Sequence, residues 1–135
     1  MIRGFFVEGR PVIPITVRVP RLNTSNTLGF LVDTGADTSV IHPFDAEGLR
    51  IDTSLLAIPQ EIHETLGVGG ISREWREDVV LILHHVDRRQ DQMGFSMSFA
   101  VTTEDNRDLP SLMGMDLLRR YRLTVDLQAD IVTLQ

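Results

Sequence analysis

Apolar residues come in short runs rich in Val, Ile, Leu, Phe and Thr, broken every few positions by Gly, Pro, Asn and Asp. That pattern predicts many short β-strands and no long helix, an all-β chain. Residues 12–19 partly alternate and read as a strand, residues 20–27 as a polar turn region, and residues 28–32 as a second strand running into Asp33-Thr34-Gly35. Pro14 has no N–H to donate to a ladder, so its part of the first strand is expected at a sheet edge or bulge. Residues 38–41 predict a further strand, and residues 43–49 a helical turn with Pro43 near its start. Residues 61–66 and 71–83 read as strands flanking Gly67-Val68-Gly69-Gly70, a glycine-rich hairpin tip. Residues 87–92 and 103–108 are polar loops around a strand at 95–102. Toward the end, Leu112-Met113 closes a strand and Asp116 is expected to cap a short helix through Tyr121. Residues 123–127 are expected to pair with 131–134 across a turn at Gln128-Ala129-Asp130. No low-complexity segment or solenoid period is present.

With 135 residues, 42% of them hydrophobic, the chain is expected to form a single domain over residues 1–135. A formal charge of −6, from thirteen basic and nineteen acidic side chains, argues against nucleic acid as a partner, because phosphate binding needs concentrated Lys and Arg. The absence of cysteine removes disulfides and thiolate metal sites and is compatible with reducing and oxidising compartments alike. Charge interrupts Met1-Ile2-Arg3-Gly4-Phe5-Phe6-Val7-Glu8 too early for a signal-peptide core, and no apolar stretch approaches the ~20 residues that span a bilayer. The expectation is a soluble protein with no membrane partner, cytoplasmic by default.

The candidate chemistry sits at Asp33. Leu31 and Val32 are expected to anchor the preceding strand in the core, which delivers the carboxylate at a fixed strand end. Gly35 permits a sharp turn and close approach of a substrate or partner chain. The Thr34 hydroxyl can lock the loop against a second copy, and Asp37 can accept hydrogen bonds from a substrate backbone or pair with an arginine. Hydrolysis of a peptide bond without metal or covalent intermediate needs a base for water and an acid for the carbonyl. Two carboxyls held ~3 Å apart retain one proton between them and supply both. Only one Asp-Thr-Gly occurs and the chain is too short for two lobes, so the second carboxyl has to come from a two-fold homodimer.

The segment Leu31-Val32-Asp33-Thr34-Gly35-Ala36-Asp37-Thr38-Ser39-Val40-Ile41 resembles the active-site segment of retroviral-type aspartic proteases, the retropepsins. Leu66-Gly67-Val68-Gly69-Gly70-Ile71 resembles the tip of that family's flap. Ser111-Leu112-Met113-Gly114-Met115-Asp116-Leu117-Leu118 resembles its second apolar-apolar-Gly motif, followed by a short helix. The resemblance implies a closed, barrel-like β domain with a flap hairpin and one short helix near the C-terminus. It further implies a homodimeric peptidase acting on peptide or protein substrates without a cofactor. On matching positions Asp33 is catalytic, Thr34 and Gly35 support the site, and Gly35, Ala36, Asp37, Val68, Gly69 and Gly70 contact substrate. The sequence departs from the viral pattern at Met115, where an arginine is common, in a longer stretch between Ile41 and the flap, and in a fuller C-terminal hairpin. These departures look more like cellular and bacterial relatives.

Blander readings compete for several residues. A retropepsin fold can also serve as a non-catalytic dimerisation or peptide-binding module. Gly67, Gly69 and Gly70 do not make the Gly-x-Gly-x-x-Gly of a dinucleotide site. His84, His85 and Asp87 invite a metal, but neighbouring histidines on a strand point to opposite faces, so no metal is expected. His42 and His63 read as surface or packing residues, Arg88-Arg89 and Arg119-Arg120 as solvated faces, and Trp75 and Tyr121 as packing residues.

Overall fold

The structure is a computed structural model that describes residues 1–54, 62–67 and 70–135. Its elements are β1 (Ile2–Arg3), β2 (Phe5–Val7), β3 (Arg10–Val19), β4 (Thr24–Val32), β5 (Val40–Ile41), α1 (Pro43–Gly48), β6 (His63–Gly67), β7 (Gly70–His84), β8 (Gln90–Ala100), β9 (Ser111–Met113), α2 (Met115–Leu118), β10 (Leu123–Asp126) and β11 (Ile131–Leu134). Alternation sets which face each strand buries: Ile13, Ile15, Val17 and Val19 on β3 are fully buried, as are Phe30 on β4 and Leu81 and Leu83 on β7.

The main sheet runs β2-β3-β4-β9-β5-β8-β7-β6, and a further antiparallel pairing of β3 with β7 joins Thr16 to Ile82 and Arg18 to Val80. That contact closes β3, β4, β9, β5, β8 and β7 into a ring around the core, as a barrel-like domain requires. Pro14 lies opposite Gly29 of β4, while on the other side of β3 the β2 pairing stops at Val12 and the β7 pairing starts at Thr16. The proline therefore falls in the gap between two partners, where a missing donor costs least. Trp75 is buried and stacks on Phe99 across the β7–β8 pair, with ring centroids 5.1 Å apart. A second sheet, β1-β11-β10, carries the C-terminal hairpin.

Several boundaries differ from the sequence reading for one reason. β4 begins at Thr24, so the turn shrinks to a 3-10 turn at Pro20–Leu22 and a left-handed Asn23; β8 begins at Gln90. The added residues are mostly polar and exposed, with Met93 the one apolar side chain that packs on the core, so they lack an apolar stripe, yet their neighbours on β3 and β7 continue to supply ladder partners. β1 and β2 are too short to show a period. The helix near the C-terminus covers Met115–Leu118 and is N-capped by Gly114 with no side-chain cap; Asp116 lies inside its first turn. No helix among the described residues is long and apolar enough to cross a membrane.

β9 is only three residues long, inserted between β4, which it meets in parallel, and β5, which it meets antiparallel at Val40 and Leu112. The connection 33–39 leaves β4, passes over the end of β9 and re-enters the sheet on the other side. Gly114 lies directly beneath it: a Cβ there would come within 2.7 Å of the Thr38 carbonyl carbon and 2.8 Å of the Ala36 oxygen. Backbone on both sides leaves no flexible atom to yield. Gly114→Ala is expected to destabilise the fold by about 1–3 kcal/mol, as overpacking does. Chemical denaturation would measure it, and a loss below about 0.5 kcal/mol, the scatter of surface substitutions, would show that the crossing is looser than described.

Candidate active site

Asp33 is the first residue beyond β4. Its N–H donates to the Met113 carbonyl at 3.0 Å, which extends the β4–β9 pairing by one bond and fixes the point at which the loop begins. The carboxylate Oδ1 accepts the Gly35 N–H at 2.9 Å, and the Ala36 N–H closes the turn on the Asp33 carbonyl at 3.3 Å. Asp33 is partly exposed, and Thr34, Gly35 and Asp37 are exposed. The side chain is thus held through one oxygen by the loop's own backbone, and the residue stays partly exposed. Gly35 does not occupy the left-handed region. What its position demands is space, since a Cβ would sit 3.3 Å from Asp33 Oδ1.

The strand behind Asp33 is anchored differently from the expectation. Phe30 is fully buried and Val32 packs against the core, whereas Leu31, on the alternate face, is only partly buried. Among the described residues the Thr34 hydroxyl and the Asp37 carboxylate make no hydrogen bond, so both are available to another molecule. At the position where an arginine is common in the viral proteins, the Met115 N–H donates to the Ala36 carbonyl at 2.8 Å, and the Asp116 N–H donates to the Asp37 carbonyl at 3.1 Å. Backbone bonds from α2 therefore hold the loop without a side-chain cation.

Two side-chain braces complete the arrangement, related by a local two-fold between Val40 and Leu112. Ser39, just before β5, donates its hydroxyl to Asp116 Oδ1 at 2.6 Å and its N–H to the same carboxylate at 2.9 Å; its Oγ accepts the Gly114 N–H at 2.9 Å. Ser111, the first residue of β9, donates its hydroxyl to Asp45 Oδ2 at 2.6 Å and its N–H at 3.3 Å; its Oγ accepts the His42 N–H at 3.1 Å. Each buried serine thus receives the N–H just past the other strand and donates to the aspartate in the first turn of the helix that follows it. Hydrogen bonds to a charged group contribute on the order of 1.5–3 kcal/mol each. The sequence reading assigned no role to Ser39, Ser111 or Asp45 and treated Asp116 as a cap. A signal was present in the paired runs Ser39-Val40-Ile41 and Ser111-Leu112-Met113, each followed by an aspartate a few residues on.

The other candidates lie apart. The hairpin of β6 and β7 closes at the Gly67–Gly70 pair, and Gly70 has a φ of +110°, a backbone that favours glycine. Val68 and Gly69 lie outside the described residues. Leu66 and Ile71 pair across the hairpin with their side chains exposed. The His84 and His85 rings diverge: His84 Nε2 meets Thr16 Oγ1 at 2.9 Å, whereas His85 Nδ1 meets the N-terminal amine at 2.9 Å. Tyr121 packs on the core and donates to Asp91 at 2.9 Å; burial, together with that bond, raises its pKa above the ordinary phenol range. A cleft of about 690 Å³ lies beside α1, between Phe44, Arg50, Thr53 and Thr102, and none of residues 33–37 lines it.

His42 is a packing residue with a pH consequence. Its Nδ1 must be the donor to the Pro110 carbonyl, 2.7 Å away, because a carbonyl can only accept. Burial lowers its pKa from the ordinary 6.5, against the opposing pull of the Pro110 carbonyl, Glu74 and Asp45. The unfolded chain therefore takes up this proton first as pH falls. The stability tied to neutral His42 is complete above the unfolded value and is lost on descending toward the lower folded value. His42→Asn should flatten the stability–pH curve as the pH falls through and below the ordinary histidine value of 6.5. Urea midpoints across that range are the measurement, and an unchanged slope would assign the effect to another group.

No protein-family profile matches the chain, and no curated protein matches it in sequence. Solved structures do. The EIAV protease complexed with the inhibitor HBY-793 is similar with a TM-score of 0.54 at 20% identity, over 84% of this chain and 89% of that one. A retropepsin-like aspartic protease from Rickettsia conorii is similar with a TM-score of 0.56 at 20% identity, over 99% of this chain and 88% of that one. At such identity the likeness speaks for architecture: the chain has the retropepsin-like fold.

Proposed function

We propose that the chain is one subunit of a homodimeric aspartic endopeptidase whose active site is formed by Asp33 and its symmetry mate. The observation that carries this reading is the placement of Asp33: a strand-end carboxylate, oriented by the Gly35 N–H at 2.9 Å and partly open to solvent, within a retropepsin-like fold. Each subunit supplies one such carboxylate, so a two-fold axis beside the loop completes the pair. Thr34, exposed and without a hydrogen-bond partner among the described residues, is the group to brace the two loops against each other.

In the dimer the two carboxyls share one proton and titrate as a unit. The ionised member takes a proton from water as it attacks the scissile carbonyl, while the protonated member donates to the carbonyl oxygen. The tetrahedral intermediate collapses with proton transfer to the leaving nitrogen. Gly35, Ala36 and Asp37 would line the floor of the cleft and hydrogen-bond an extended peptide, whose alternate side chains enter pockets on either side. The β6–β7 hairpin would close over the peptide and exclude bulk water, with Val68, Gly69 and Gly70 the residues that the sequence resemblance assigns to substrate contact. No cofactor enters this chemistry.

Asp33→Asn is expected to abolish cleavage of a peptide library and sensitivity to a statine-type transition-state mimic, while leaving folding and self-association intact. Persistent cleavage by a contaminant-free preparation of the variant would remove Asp33 from the mechanism. Cleavage by wild type that is absent altogether would instead favour a non-catalytic dimer. In sedimentation, specific activity should track the dimer fraction on dilution; full activity from a monomer would contradict a shared site.

A further inference from the structure

We infer that Asp116 is a positioning residue for Asp33, acting through Ser39, and that the chemically equivalent brace at Asp45 is structural only; the inference rests on the peptidase reading above. The two braces share three kinds of bond: serine hydroxyl to carboxylate at 2.6 Å in each, serine N–H to the same carboxylate at 2.9 and 3.3 Å, and N–H to serine Oγ at 2.9 and 3.1 Å. They differ in what they hold. Ser39 ends the 33–39 connection, so the Asp116 carboxylate grips the far end of the loop whose near end is pinned by the Asp33 N–H to the Met113 carbonyl. The same helix turn fastens the middle of that loop through the Met115 and Asp116 N–H groups, to Ala36 and Asp37. Asp116 also accepts the Leu117 N–H at 2.9 Å, which fixes the carboxylate on α2. Ser111, in contrast, follows the 103–110 loop, which carries none of the candidate site residues, and Asp45 ties α1 to it.

A loop held at both ends and in the middle keeps its carboxylate in one orientation at no entropic cost during reaction, whereas release of one end lets Asp33 turn away from its mate. The hairpin's binding surface is untouched by that release, while Ala36 and Asp37 stay fastened at the loop's middle by the Met115 and Asp116 N–H groups. The predicted signature is thus a loss in turnover with little change in substrate affinity.

The pair of braces supplies its own control. Asp116→Asn and Asp45→Asn keep side-chain size while turning an accepting oxygen into a donor, and Ser39→Ala and Ser111→Ala form a second matched set in case an aspartate variant folds poorly. All would be assayed as the full-length protein well below the melting points. Asp116→Asn should lower kcat by about 10–100-fold, the scale of a small misplacement of a reacting group, with a smaller change in KM. Asp45→Asn should lose comparable stability and keep its kcat. Equal loss of kcat in both, or unchanged kcat in Asp116→Asn, overturns the inference. Hydrogen exchange at the Gly35 and Ala36 amides reads the same point without turnover: Asp116→Asn should accelerate both and Asp45→Asn neither. A wild type that cleaves nothing would refute the peptidase reading alone, and the exchange result would still decide this one, with equal protection in the two variants overturning it.

Discussion

Three donors converge on the Asp116 carboxylate: the N–H and hydroxyl of Ser39 and the N–H of Leu117. On this convergence depends the geometry of everything between β4 and β5. A chain leaving β4 has to pass over β9 before rejoining the sheet, and in that crossing its backbone groups have no ladder to enter. Unpaired, they would carry the desolvation cost of partly buried peptide groups. The carboxylate and the first turn of α2 take that place, offering acceptors and donors at fixed positions. Strand β5 starts only at Val40 because the Ser39 N–H is already committed to a side chain rather than to a neighbouring strand.

The same crossing explains why glycine and serine occupy their places. Gly114 admits the loop at a distance no side chain would tolerate, and small Ser39 brings a hydroxyl into the buried space beside it. Around the Val40–Leu112 pair the arrangement repeats with Ser111, Asp45 and His42. One local two-fold therefore organises two strands, two helices and two loops, of which only one carries the candidate carboxylate. The other side shows what this geometry provides as plain structure: α1 held to the end of β9, with His42 drawn onto the Pro110 carbonyl.

Anchoring the loop by backbone bonds and a carboxylate–serine brace, with Met115 where the viral proteins commonly have arginine, also leaves Asp37 exposed and without a paired cation among the described residues. A carboxylate in that state keeps its acceptor capacity for an outside donor. The β6–β7 hairpin presents Leu66 and Ile71 as an exposed apolar pair, so polar and apolar contacts are offered by different elements.

The sequence by itself determined the strand-rich class, the hairpin around Gly67–Gly70 and the position of Asp33. Each of these is written in contiguous residues: a two-residue period, a glycine cluster, an apolar run ending in Asp-Thr-Gly. It also placed Gly114, Asp116 and the C-terminal hairpin, although it took Asp116 for a helix cap. Only the tertiary structure decided that β9 slips between β4 and β5, that β3 meets β7 to close the ring, and that Ser39 reaches Asp116 and Ser111 reaches Asp45, 77 and 66 residues apart. Local patterns encode which face of an element is apolar. They do not encode which distant hydrogen-bonding group will be opposite it, because that is fixed only when the core closes and every buried polar atom has to find a partner in the space left to it.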